Sequence, residues 1–287
     1  MIKRIIALML VAVSLLSLAC CKKDDDVYVT EPESQSTETN TESTQSGTSA
    51  DTVKITFPEG YTLLKMAWSL EENGVCGTND FLAAVDSYDL SSKSILSSIK
   101  EKDKICFLLE GYLFPATYTF QKNSEPKAVI DKMVSALEAR FDQSMKDRAA
   151  ELGYSVHEIL TIASIIEKEA KTAEQRTLVS STIHNRLKKG MRLEYDVTVK
   201  YCTGVIEVQY PDKIDYYKYL YNGNRVDGMI AGPICNPSLE SINAALYPDN
   251  TDYVFFVIDT EPPYNSAFTA SYDEHLKNVQ KWKNGEL

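Results

Sequence analysis

The sequence is poor in the residues that metal centres and nucleic-acid surfaces need. Histidine occurs three times in 287 residues, at 157, 184 and 275. None of the six cysteines belongs to a C-x-x-C pair or stands near a histidine at a ligand spacing, so no metal site is expected. Basic side chains are in deficit, 30 against 41 acidic, for a net charge of -11 and a pI near 4.9. A nucleic-acid binder normally carries a basic face to neutralise phosphates, so this balance argues against nucleic acid as a partner. Long apolar runs are scarce too. With 44% apolar and 25% charged residues, the composition suits a soluble body and excludes fibrous, wholly disordered and multi-span chains.

The one long apolar run lies at the N-terminus. Residues 1–4, MIKR, precede Ile5 to Ala19 and then Cys20 and Cys21. A basic start and a 15-residue apolar core read as an export signal over 1–20, short for a spanning helix. The cysteine pair resembles a bacterial lipobox, with Cys20 or Cys21 as the lipidated residue. The expected location is the extracytoplasmic face of the bacterial cell membrane, with a lipid anchor. From Asp24 to Thr52 there are eight acidic residues, no basic ones and twelve Ser or Thr. Such a stretch cannot bury enough apolar surface to offset its ordering entropy, so 21–52 reads as a disordered tether.

The folded body is expected from Val53 onward. Val53 to Gly60 alternates and then stops at Pro58 and Gly60, a strand and turn. Tyr61 to Asn73 has the spacing of an amphipathic helix, and Thr78 to Asp80 can start a second. Glu110 to Tyr118 packs aromatics around Gly111 and Pro115, a structured loop suited to stacking a sugar or to a hydrophobic seam. Glu125 to Leu152 reads as one surface helix. Met191 to Tyr201 reads as extended, with polar groups gathered at 194–198. Gly228 to Pro237 is a rigid loop, Tyr253 to Ile258 a strand, and Asp273 to Trp282 a last helix. Cys76, Cys106, Cys202 and Cys235 can form two disulfides or serve as small buried hydrophobes. A body of this size favours the second, since its core does not need staples.

One helix carries the chemistry. Ser155 and Glu158 form a capping box ahead of Val156 to Ala170. Apolar residues cover well over half its circumference, leaving Thr161, Ser164 and Lys168 as a narrow polar stripe. Glu167 and Glu169 fall about 100° to either side of that stripe, at the edge of the apolar face. Desolvation there raises a carboxyl pKa, the setting of a general acid near neutral pH. The alternative is a pair of half-exposed carboxylates matched to nearby Lys or Arg. The pattern does not choose between the two glutamates.

Six segments in order, Phe57 to Gly60, LEGYLFPATYTF at 109–120, ASIIEKEA at 163–170, NRLKKGMRLEYDVTV at 185–199, GPICNP at 232–237 and AALYPDNTDYVFFV at 244–257, resemble the YceG-like, endolytic murein transglycosylase family. The resemblance covers the body and implies an α+β fold, with a small LysM-like module at 53–108 and a mixed α/β catalytic domain at 109–287. It also implies a lytic transglycosylase acting on peptidoglycan glycan strands at the bond between N-acetylmuramic acid and N-acetylglucosamine, leaving 1,6-anhydro ends. It places the acid and base role on Glu167, and chain cleavage of that kind implies no metal or organic cofactor. Glu110, Tyr112, Tyr118, Glu169, Asn185, Arg186, Glu194, Asp196, Thr198, Tyr221, Asn222 and Asn236 become the substrate-binding or supporting residues. Contacts with cell-wall synthesis proteins would suit such an enzyme.

Departures from the family pattern fall in these segments. Ala116 stands where members commonly carry an acid after F-P, Leu193 to Thr198 reads LEYDVT for the usual L-Q-S-D-P-T, and Tyr219 to Asn224 reads YLYNGN for S-P-Y-N-T-Y. Gly228 to Ile234 reads GMIAGPI for G-L-P-P-G-P-I, and Ser266 replaces the histidine of H-x-F. Two rival functions follow: a glycan-binding scaffold without turnover, and a hydrolase pairing Glu167 with Glu110 or Glu194.

Overall fold

The computed structural model describes residues 51–287. The export signal, Cys20, Cys21 and the tether up to residue 50 lie outside the described residues. Asp51 pairs with Lys122 at 2.9 Å, and Thr52 already begins a strand.

Strand β1 (Thr52–Thr56) is followed by α1 (Leu63–Glu72) and α2 (Thr78–Asp86). The Thr62 side chain caps α1, and Gly74 at φ 69° turns the chain away from it. Short 3-10 turns between Leu90 and Lys104, not anticipated from the sequence, lead to β2 (Thr117–Gln121). β2 pairs antiparallel with β1, with Ile55 opposite Tyr118. The first strand therefore completes its sheet beyond residue 109, and the described residues from 51 onward make one compact unit. A distinct LysM-like module over 53–108 is not seen.

The expected long helix is two, α3 (Pro126–Glu138) and α4 (Gln143–Glu151). The break falls where Asp142 accepts the Met145 amide at 2.9 Å and starts a new helix. Then come α5 (Val156–Glu169), with its capping box formed, and α6 (Ala173–Lys188), which carries a second box from Thr172 and Gln175. The segment expected to be extended at 191–201 instead winds into α7 (Asp196–Tyr201). That helix runs through a π-turn, Cys202–Ile206, into α8 (Glu207–Gln209). The chain ends with α9 (Ile214–Tyr221), α10 (Leu239–Leu246), the hairpin of β3 (Phe255–Ile258) and β4 (Ser266–Thr269), and α11 (Tyr272–Asn284).

Helix α5 is the axle. It packs against α4, α6, α7 and α10, and every residue from Ile159 to Ile166 is buried. Each apolar side chain so buried contributes about 1.5–3 kcal/mol. The polar stripe expected on α5 does not face water at Thr161 and Ser164, which are fully buried. Thr161 donates to the His157 carbonyl at 2.8 Å, while Ser164 donates to the Thr161 carbonyl at 2.7 Å and accepts the Ile234 amide at 3.0 Å. The stripe is thus the dock for the loop 228–237, whose residues from Gly232 to Pro237 are buried. The four body cysteines are not bridged. Cys106, Cys202 and Cys235 are buried, and burial pushes the half-buried Cys76 thiol up to about 11. Among the described residues no helix is long and apolar enough to cross a membrane.

Candidate functional site

The last turn of α5 sends two carboxylates apart, because residues two positions along a helix diverge by about 200°. Glu167, half-buried, faces α10. Its Oε2 accepts the Ser238 amide at 3.1 Å, the Ser238 hydroxyl at 2.6 Å and the Ser241 hydroxyl at 2.6 Å. Ser238 also caps α10, accepting the Ser241 amide at 3.1 Å. On its other side Glu167 is close to Gly60, where an added Cβ would lie 3.5 Å from Glu167 Cγ. The Lys168 ammonium donates to the Gly60 carbonyl at 3.3 Å. Glu167 is therefore a tie between α5, α10 and the first turn of the body.

Glu169 faces a cavity of about 300 Å³, shared with Arg186, Glu194, Tyr195, Asp196, Phe256 and His275. Burial, then the Asp196 charge, raises its carboxyl to about 7 against the opposing pull of Lys200 and Lys171. Arg186, 7% exposed, frames the cavity. Its Nε donates to the Val254 carbonyl at 2.7 Å, and Nη1 donates to the Leu193 carbonyl at 2.7 Å and reaches Glu194 at 3.4 Å. Glu194 sits at φ 53°, a left-handed conformation that costs a residue with a side chain about 1 kcal/mol or more. Its amide donates to the Gly223 carbonyl at 3.3 Å, which braces the turn. His275 stacks on Phe255 at 5.2 Å, and burial, then the Arg186 charge, lowers its pKa. The arrangement places a proton donor poised near neutrality among charged groups in a space open to a ligand.

The remaining sequence-chosen residues form the frame. Glu110 is buried beneath, bound to the Leu63 amide at 2.8 Å and the Tyr201 hydroxyl at 3.1 Å. Asn236, also buried, holds the Leu113 amide at 2.9 Å and donates to Glu110 at 3.1 Å. Tyr112 meets His157 Nδ1 at 3.0 Å, Tyr118 donates to the Phe114 carbonyl at 2.7 Å, and Tyr221 accepts the Cys106 amide at 3.2 Å, all from the core. Thr198 accepts the Gly223 amide at 2.9 Å, Asn222 accepts the Asn224 amide at 3.0 Å, and Asn185 donates to the Thr251 and Tyr253 carbonyls at 2.9 and 3.0 Å. Of the chosen set, Glu169, Arg186, Glu194 and Asp196 share the open cavity. Sequence reasoning missed Tyr195, Phe256 and His275 there, and Ser238 and Ser241 on Glu167. The rarity of histidine was a signal for His275; the serines carried none.

A model of the YceG-like family matches residues 27–281. The chain belongs to the YceG-like family. The endolytic murein transglycosylase of Bacillus subtilis strain 168 is 31% identical to it over 252 residues, spanning 83% of this chain and 67% of that relative. The protein of the same name from Streptococcus pneumoniae serotype 2 strain D39 is 28% identical over 253 residues, 81% of this chain and 45% of its own length. This YceG-like chain thus spans about two thirds of the first relative and under half of the second. The crystal structure of a YceG-like protein from Listeria monocytogenes superposes with a TM-score of 0.67 at 32% identity, covering 78% of this chain and 75% of that one. The α/β fold is therefore the YceG-like catalytic fold.

Proposed function

We propose that this YceG-like protein is a lytic transglycosylase that cuts peptidoglycan glycan strands internally, and that Glu167 carries the proton. The observation that carries this reading is the Glu167 carboxyl, half-buried at the end of α5 and fixed through Oε2 by three donors from α10 and its cap, with no hydrogen bond on Oε1 among the described residues. One oxygen is held in place and the other is left to carry a proton, and resemblance to the family's E-K-E motif favours the same residue. A second reading puts the proton on Glu169, raised to about 7 in the cavity it shares with Arg186 and the 194–196 segment. Protonated Glu167 gives its proton to the glycosidic oxygen as the C1–O bond of the muramoyl residue breaks, freeing the N-acetylglucosamine hydroxyl. The Glu167 carboxylate then takes the proton of the muramoyl C6 hydroxyl as its oxygen bonds to C1, closing the 1,6-anhydro ring and restoring the acid. One carboxylate serves both steps because the nucleophile belongs to the substrate, unlike the paired acids of hydrolases. A lipid on Cys20 or Cys21 would hold the body at the outer face of the cell membrane.

The test is product analysis by mass spectrometry after incubating the full-length protein with un-crosslinked glycan strands. Internal cuts ending in 1,6-anhydro sugars are expected. Glu167→Gln should lower their rate by about 100-fold to 10,000-fold, the usual worth of a general acid, and Glu169→Gln by less than about tenfold. The reverse ranking would move the acid role to Glu169. Reducing ends would instead mean hydrolysis, with Glu110 or Glu194 as the second acid. Glycan binding without products would mean a scaffold.

A further inference from the structure

A second cavity, about 340 Å³, opens between the start of α6 and α10, lined by Arg176, Thr177, Glu240, Asn243 and Tyr247 among others. It lies on the α10 side of α5, with Glu167, and shares no lining residue with the Glu169 cavity. Arg176 is the unusual member. Its Nε is out of solvent with no hydrogen-bond partner, and the side chain enters no ion pair among the described residues. An unmet buried donor costs about 1–3 kcal/mol, and a guanidinium presents five donors in a fork suited to a carboxylate. A ligand that brings a carboxylate would remove that cost.

A simple anion does not suit the rest of the wall. Glu240 lines the same cavity, and nearby Glu59 senses the negative charges of Glu167 and Glu240 as well as the positive charge of Arg176. The lining carries one acid, Glu240, opposite one base, Arg176, so the matching ligand carries a cation beside its carboxylate. Tyr247, 53% exposed and backed by the Arg148 guanidinium 5.3 Å from its ring centroid, supplies a flat wall for an aliphatic stem. The volume lies in the about 300–1,000 Å³ range of small-ligand sites.

We propose that this cavity binds the zwitterionic amino-acid head of a peptidoglycan stem peptide, its carboxylate on Arg176 and its ammonium on Glu240. The inference rests on the proposed substrate and deepens it: the enzyme holds a peptide branch on the same side of α5 as the acid that cuts the glycan. The test is calorimetric titration of the full-length protein with a tripeptide ending in a diamino acid whose distal centre has a free ammonium and carboxylate. Two control peptides are amidated at that carboxylate or acetylated at that amine. Wild-type protein should bind the free peptide, with each control weaker by about tenfold or more, the worth of one charge-assisted hydrogen bond. Arg176→Gln should bind the free and amidated peptides alike, and Glu240→Gln the free and acetylated ones alike. This exchange of specificity would not arise from misfolding. Equal binding of all three peptides by the wild type, no binding, or variants that discriminate as the wild type does would overturn the proposal. Glycan cleavage by the same preparations separates the two readings. Peptide binding without cleavage sinks the proposed function and leaves the site standing, whereas cleavage without peptide binding sinks the site alone.

Discussion

Glu110 and Glu169 are both acids lifted by burial, and they differ in what surrounds the carboxyl. Glu110 is enclosed by the Leu63 amide, Asn236 and the Tyr201 hydroxyl, and burial raises it to about 8. The folded protein therefore keeps a proton that the unfolded chain releases near 4.5. Stability from this group is greatest below that value and falls as pH rises from 4.5 toward 8. Glu110→Gln should flatten this fall, and Glu110→Ala should cost about 3 kcal/mol or more by stranding buried donors; denaturant titrations at pH 5 and pH 8 read both. Glu169 opens instead onto a cavity, so its proton is available for transfer. If it is the acid, cleavage rate should decline as pH climbs past about 7, and a rate profile from acid to mildly alkaline pH with no such limb would count against it.

At the scale of elements, the site depends on two docks against α5. The first is the N-terminus of α10, where Ser238 both caps the helix and binds Glu167. Ser238→Ala removes a cap and a charge-assisted bond and should cost about 2–3 kcal/mol, against about 1–2 for Ser241→Ala, which loses the bond alone. Thermal or chemical denaturation measures the difference. The second dock is the loop 228–237. Gly111 stands at φ 85°, and a Cβ there would lie 2.5 Å from Pro233 atoms. Gly153, also left-handed at φ 80°, faces open space. Gly111→Ala should therefore destabilise more than Gly153→Ala, which carries only the backbone strain of about 1 kcal/mol. Equal losses would show that the Pro233 contact does not matter.

Over the whole molecule, β1 and β2 close the body by pairing residues more than sixty positions apart, and the Pro58–Gly60 turn that follows lies against Glu167. Chains shortened to begin at Tyr61 would leave β2 without its partner and should lose cooperative unfolding, whereas chains beginning at Asp51 should keep it. Circular dichroism melts of the two decide this. A shortened chain that melted like the longer one would make β1 a dispensable edge.

The sequence by itself determined the local elements with strong chemistry at their ends. The Ser155–Glu158 box, the Asn73–Gly74 stop and the apolar face of α5 depend on neighbours within a few residues, so they were legible. The break at Asp142 and the helix at Asp196 were less so, because a cap and a strained residue at Glu194 overrode a longer pattern. Thr161 and Ser164 were legible as a polar stripe but not as the dock of the 228–237 loop, since periodicity marks polarity and not what covers it. The pair Glu167 and Glu169 shows the limit most clearly. Helical spacing gave them equal standing at the edge of an apolar face, and only folding set α10 against one and the 194–196 segment against the other. Burial and charge at a carboxylate come from groups distant in the chain, and here those groups supply three donors to Glu167 and a cavity to Glu169.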